Sequence, residues 1–403
     1  MVSRGQATDH MHDATYTPPA SLDTLRQRSL VIGVIGLVAA GAGALVSPAQ
    51  FFHSYLLAFL FWLAAALGGL ALTMLHHMSG GGWGVVLRRI FEASARTLPW
   101  MALFFVPLVF GLNDLYPWTD TAMVAGDHIL KEKALYLNVP FFLVRAVLYF
   151  AIWSGLAFYL TRWSAEQDRT GSPALATRMQ STSAVGLVLY VLTMTFASID
   201  WGMSLEPHWF STMYGFLFVI GQALMALAVA IVVARRLSME PPMSGVYNAG
   251  HFHDFGKLLF AFTMVWAYLS FSQFLIIWSA NLPEEIPWYQ HRLSHGWEYL
   301  GIALVAFHFA VPFIVLLSRR TKRNSTVLAR MAMWLIVARF LDLFYLIGPE
   351  AYTKGLSFHW LDVAAVVGLG GIWVALFTSN LKSRPLLPVH DAGLADALQA
   401  EHH

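Results

Sequence analysis

Long apolar runs separated by short polar gaps dominate the chain from residue 29 onward. Ten of them read as spans, at about 29–46, 51–75, 98–112, 139–161, 184–200, 209–234, 257–280, 297–318, 327–347 and 358–380. A hydrocarbon core about 30 Å thick takes about 20 residues of helix to cross, and backbone in lipid must satisfy its own hydrogen bonds, as a helix does. The third run is the shortest, and Pro99 and Pro107 interrupt it. The pattern predicts an all-α polytopic membrane protein. A ten-helix membrane domain over 28–380 lies between polar tails at 1–27 and 381–403.

The polar gaps add an orientation. One set carries Arg4, Arg26, Arg28; Arg88, Arg89, Arg96; Arg162, Arg169, Arg178; Arg235, Arg236, Lys257; Arg319, Arg320, Lys322, Arg323; and Lys382 and Arg384. The alternate set carries Lys131, Lys133, Arg292 and Lys354. This bias predicts that both termini are cytoplasmic. The first 27 residues do not read as a cleavable signal, because the apolar run follows them late and shows no clear cleavage site.

Composition agrees. Hydrophobic residues make up 57% of the chain and charged residues 12%, against about 25% charged in soluble domains. Mean hydropathy is +0.58. A net charge of +2 gives no nucleic-acid signature, so no nucleic-acid partner is expected. The absence of cysteine excludes disulfides, Cys-ligated iron–sulfur clusters, zinc ribbons and covalent c-type haem. Trp100, Trp118, Trp201, Trp209, Trp288, Tyr289, Trp297 and Trp360 fall at span ends, where an interfacial aromatic belt is expected.

Several polar residues need a further reason. Arg145 falls inside the fourth run, and Arg339 and Asp342 inside the ninth. Charges in hydrocarbon cost about 2.5–3.5 kcal/mol on insertion scales and mark function by default. Arg339 and Asp342 are three apart, so they share a helical face and can pair. Such a pair serves either packing or proton transfer. His308 lies mid-run beside Pro312, as a packing residue or a functional one. It stands 13 residues after His295, a spacing of paired haem ligands, yet no second such helix follows, so no haem and no metal is expected. Gln222, Ser270, Ser272 and Gln273 are expected to hydrogen-bond between helices. His251, His253, His291 and His295 are placed in exposed loops without a third convincing ligand, and the closing 401–403 stretch in a solvated tail. The gap ASIDWGMSLEPHWFST, 197–212, holds Asp200, Glu206 and His208 at the predicted outer surface, to relay protons or to dock partners.

Four stretches carry a resemblance: HILKEKALYLNVPFFLVRAVLYFAIW, DWGMSLEPHWFSTMYG, FHDFGKLLFAFTMVWAYLSFSQFLIIWSANLPEEIPWY and HFAVPFIVLLSRRTKRN, between about 128 and 324. Together they resemble the second large membrane subunit, the F subunit, of alternative complex III, a bacterial quinol:cytochrome c oxidoreductase. The resemblance implies an NrfD/PsrC-like fold of two four-helix bundles with flanking helices, in the bacterial inner membrane. It implies as partners a homologous quinol-oxidising membrane subunit, an iron–sulfur subunit and c-haem subunits. Those partners hold the haem c and iron–sulfur centres, while menaquinol or ubiquinol is the substrate of the complex and this chain binds no cofactor of its own. It also implies a proton path, for which Arg145, Asp200, Glu206, His208, His308, Arg339 and Asp342 are the candidates. Two other readings stand beside it. One is a secondary transporter with a 5+5 inverted repeat, since Arg145 and Arg339 lie five spans apart. The other is a structural anchor for soluble partners.

Overall fold

The computed structural model describes residues 16–399. The polar stretch 1–15, with Arg4, and the closing 400–403 lie outside the described residues. Among the described residues, ten helices are long and apolar enough to cross a membrane: α1 Ser21–Val46, α2 Pro48–Ser79, α3 Gly82–Phe110, α4 Val139–Thr170, α5 Pro173–Leu205, α6 Tyr214–Leu237, α7 Ala249–Ala280, α8 Trp297–Leu317, α9 Ser325–Ala351 and α10 Trp360–Lys382. The protein is a polytopic all-α membrane protein.

The largest departure from the predicted boundaries is α3, which begins at Gly82 rather than 98. Its first half, Gly82–Ala95, is a buried helix carrying Arg88, Arg89 and Glu92; Arg96 and Thr97 form the joint, and Pro99 sits at the restart. Three charges made this half read as loop. They are buried because they satisfy one another. Arg88 Nε lies 2.9 Å and Arg89 Nη1 2.6 Å from the Glu92 carboxylate, and Arg89 also pairs with Asp168. The predicted tails are corrected likewise. α1 starts at Ser21, within the expected 1–27 tail. Beyond α10 the chain packs back, with Leu386, Leu387, Leu394 and Ala397 buried and Asp391 2.6 Å from Arg88.

Helix neighbours define the architecture. α2, α3, α4 and α5 pack in a ring, and so do α6, α7, α8 and α9; α1 and α10 pair along their length and flank the rings. Two four-helix bundles with flanking helices are thus observed. Helices four apart run in the same direction, so each bundle opens with a helix of the same sense, and the grouping is 4+4 rather than the inverted 5+5 of the transporter reading.

The bundles meet along α2 and α6, where a Cβ on Gly68 would lie 2.0 Å from the carbonyl oxygen of Gln222. Only glycine permits backbones so close. The same rule holds α1 on α10, where the buried face of α1 includes Ser29, Gly33, Gly36, Ala40 and Gly43. A Cβ on Gly33 would lie 2.5 Å from the amide nitrogen of Ile372. Between the bundles Gln222 on α6 accepts from the Tyr190 hydroxyl of α5 at 2.5 Å, as expected of a polar group at this depth.

Two ends result. The basic end gathers the Arg-rich connections and is strapped by residues 386–398. The opposite end is aromatic. The expected belt is mostly corrected here: Trp100 and Trp360 are exposed, but Trp118, Trp201, Trp209, Trp288 and Trp297 are buried. Their rings plug the bundle ends, as where Trp209 stacks on Trp288 with centroids 4.6 Å apart.

Candidate functional site

Polar side chains predicted for function fall into three places. The first closes the aromatic end of the α2–α5 bundle. Arg145 sits two turns into α4, after Asn138 and Pro140 start that helix. Asp200 is in the last turn of α5 and has no exposed surface. The two form a fork: Arg145 Nε donates to Oδ2 at 2.9 Å and Nη2 to Oδ1 at 2.8 Å, while the Tyr149 hydroxyl donates to Oδ2 at 2.8 Å. Arg145 Nη1 donates to the Tyr136 carbonyl at 2.9 Å, and the guanidinium lies 3.8 Å from the Tyr136 ring centroid. The pair leaves nothing unsatisfied. It lies near one end of a long helix, not at mid-span as the sequence suggested.

The gap 197–212 sends its three titratable residues to three places, which corrects the picture of one surface relay. Asp200 still belongs to α5 and faces the first bundle. A single 3-10 turn at Met203–Leu205 then redirects the chain. Glu206, half-buried, meets Arg292 of the second bundle at 2.8 Å. His208 points outward and bonds Asp127 through Nε2. That bond holds the Asp127 carboxyl below the usual aspartate range. Lys133 fixes the same loop by donating to the Pro207 carbonyl at 2.6 Å, and partial burial lowers its pKa.

The second place is the middle of the α6–α9 bundle. Arg339 and Asp342 pair on α9, both buried. Trp266 Nε1 of α7 donates to Asp342 Oδ2 at 3.1 Å. The Trp266 ring also meets the His308 ring, with centroids 3.8 Å apart. His308 lies in a π-helical segment, Val305–Ala310, within α8. Pro312 stands four residues on and has no N–H for the His308 carbonyl, which accounts for the widened turn. The run 297–318 is thus helical with one widened turn in its middle. His308 has no exposed surface, and neither ring nitrogen has a hydrogen-bond partner. Arg339 likewise leaves Nε and Nη2 unpartnered. Its guanidinium lies against α6, where a Cβ on Gly221 would come within 2.2 Å of its Cζ. This is an arrangement short of acceptors and donors. It suits water or a transferring proton better than it suits a sealed core.

The third place lies at the aromatic end of the same bundle. Arg292, unexposed, donates to Glu206 Oε1 at 2.8 Å and to the carbonyls of Tyr345, Trp288 and Leu346 at 3.0, 3.1 and 2.7 Å. Glu206, His291 and Glu350 each bring a carboxylate oxygen or ring nitrogen within 4.8 Å of the others. Glu350 stands eight residues beyond Asp342, about 12 Å along the helix. Tyr345 lies between in sequence and packs against the Ile220–Trp266–Leu304 cluster.

Sequence reasoning missed Glu350, Arg292 and Trp266. The span 327–347 stopped short of Glu350, although Arg339 and Glu350, eleven apart, fall on one face of a continued helix. Three histidine placements are also revised. His251 is buried, caps α7 through Asn248, and bonds the Ala397 carbonyl at 2.8 Å. His253 lies half-buried on α7, whereas His295 is exposed ahead of α8, as expected of a loop residue. His291, taken as a solvated loop residue, stands with two carboxylates. No known family matches the sequence, and no curated protein is similar to it.

Proposed function

We propose that the chain is an integral membrane subunit of a respiratory or photosynthetic quinol:electron-acceptor oxidoreductase of the alternative complex III type, and that its part is proton transfer in support of quinol oxidation. In this reading it sits multi-pass in the bacterial inner membrane with both termini cytoplasmic, so the basic end faces the cytoplasm and the aromatic end the periplasm. Menaquinol or ubiquinol is the substrate of the complex. Its partners are a homologous quinol-oxidising membrane subunit, an iron–sulfur subunit and c-haem subunits, which carry the redox centres.

The observation that carries the proton role is His308. A fully buried imidazole with both nitrogens unpartnered, beside an intramembrane Arg339–Asp342 pair, is costly unless it works. An imidazole exchanges protons near neutral pH, and a carboxylate beside it can act as its proton partner. α9 then presents Glu350 at the aromatic end, with Glu206 and His291 beside it. Arg145 and Asp200, saturated by each other, act in this reading as a fastener of the other bundle, and His208 as a surface contact.

Asp342→Asn tests the reading. The amide keeps shape and hydrogen-bonding capacity but cannot exchange a proton. The variant is expected to assemble and co-purify with haem- and iron–sulfur-containing partners, while quinol oxidation and proton release by the purified complex fall about tenfold or more. A wild-type protein that purifies alone, or a variant with unchanged turnover and proton release, overturns it.

A further inference from the structure

We infer that Glu206, His291 and Glu350 form a binding site for a divalent transition metal of the zinc class at the aromatic end of the α6–α9 bundle. The inference rests on side-chain geometry and does not need the electron-transfer reading, although it places a metal on the three side chains that reading sets at the end of α9.

The donors come from three separate elements. Glu206 follows the 3-10 turn that ends α5. His291 lies on the short helix Ile286–Arg292, and Glu350 in the last turn of α9. Their nearest ligand atoms lie within 4.8 Å of one another, and His291 Nδ1 is 3.8 Å from Glu206 Oε2. Tetrahedral zinc, with ligands at about 2.0–2.1 Å, places its donor atoms about 3.3 Å apart. The set therefore has to contract by about an ångström, and the exposed His291 side chain is free to turn in.

Arg292 does not close the site; it shapes it. Its Nη1 donates to Glu206 Oε1, and its other hydrogen bonds are all to backbone carbonyls. The arginine is locked over the Trp288 ring, 3.7 Å from its centroid. Glu206 Oε2 is thereby aimed towards His291 and Glu350. A metal-ligating carboxylate held by a rigid outer hydrogen bond is the usual support of such a site. Both carboxylates ligate as anions, so a bound cation displaces any proton that they hold. Two oxygens and one imidazole nitrogen suit zinc more than magnesium or calcium, which prefer all-oxygen sets. Three protein donors leave one position for water.

The test is zinc binding by the purified full-length protein, or its complex, in competition with a chromophoric chelator. Wild type is expected to bind one zinc that is lost, or weakened about tenfold or more, in His291→Ala and in Glu350→Gln. His128→Ala, an exposed histidine elsewhere, is expected to leave that zinc in place. Equal binding by wild type and the His291→Ala/Glu350→Gln double variant, or no zinc bound above the chelator's background, overturns the inference. Thermal unfolding with and without zinc keeps the result readable if a variant is unstable. A zinc-dependent rise in midpoint for wild type and none for the double variant supports the site; equal rises or none in both overturn it.

Discussion

Two of the buried arginine–aspartate pairs among the spanning helices, Arg145–Asp200 and Arg339–Asp342, are built to opposite ends. Arg145–Asp200 joins two helices, α4 and α5. It is a two-pronged fork with a tyrosine on the same carboxylate and a carbonyl on the remaining guanidinium nitrogen. Arg339–Asp342 joins residues three apart on one helix, so the ion pair itself links no two helices, and only Trp266 of α7 reaches it. Its guanidinium leaves two nitrogens unpartnered, and its neighbour His308 leaves two more. The first pair lies near a helix end, the second near the middle of α9. The same residue types thus make a clamp in one bundle and an unsaturated polar core in the other. Saturation, more than burial, separates structural charge from charge available for chemistry.

The comparison breaks most visibly at the clamp. Arg145→Ala strands Asp200 in a site with no exposed surface. Removing one partner of a buried pair costs about 3–5 kcal/mol, enough to lose most assembled protein. The folded yield in detergent and the unfolding midpoint report this. Replacing both partners, as Arg145→Met with Asp200→Leu, is expected to recover much of the loss, because an apolar pair has no unpaired charge to bury. An Arg145→Ala protein as stable as wild type would show that the fork is not a clamp.

The opposite result is expected at His308. A side chain with no partners has no hydrogen bonds to lose, so His308→Phe, which keeps a ring against Trp266, is expected to change stability by no more than about 1 kcal/mol. Proton-coupled turnover of the assembled complex is expected to fall. A sharp drop in stability would mean that the imidazole is anchored, and the contrast between the two bundles would fail.

Much of this was legible in the sequence. All ten spans were marked by apolar runs, and a pair three apart on a helix had to share a face. What stayed hidden shares one cause. Sequence patterns equate charge with exposure, and here tertiary pairing overrides that rule. Arg88, Arg89 and Glu92 made half of α3 look like a loop, yet Glu92 pairs with both arginines inside it, and Asp168 and Asp391 answer the remaining charge. Asp200 looked like a surface residue because its partner lies 55 positions earlier in the chain. Glu350 was lost to a span end set four residues too early. The scattering of Asp200, Glu206 and His208 depends on one short turn, whose direction no periodicity encodes. The π segment at His308 was foreshadowed by Pro312, four residues on, a signal available but not used.

The smallest expected effect belongs to the exposed contact between His208 and Asp127, and it sharpens the comparison at its weak extreme. Here the partners are on the surface, so solvent competes for both and the contact adds little to global stability. Its sign is nevertheless fixed. The hydrogen bond from His208 places the Asp127 carboxyl below its ordinary value. A carboxylate so depressed contributes fully above the unfolded-state value of about 3.9 and loses that contribution as pH falls through the lower, folded value. The loop around 121–133 is therefore expected to loosen only in strong acid. The chain contains no cysteine, so Met123→Cys gives a single exposed position for a spin label. The label's mobility is expected to stay constant from neutral pH down to about 4 and to rise below it. With Asp127→Asn added, mobility should be raised throughout and insensitive to acid. A label that loosens equally with and without Asp127 would show that another group controls the loop, and that even the surface pair had been credited with too much.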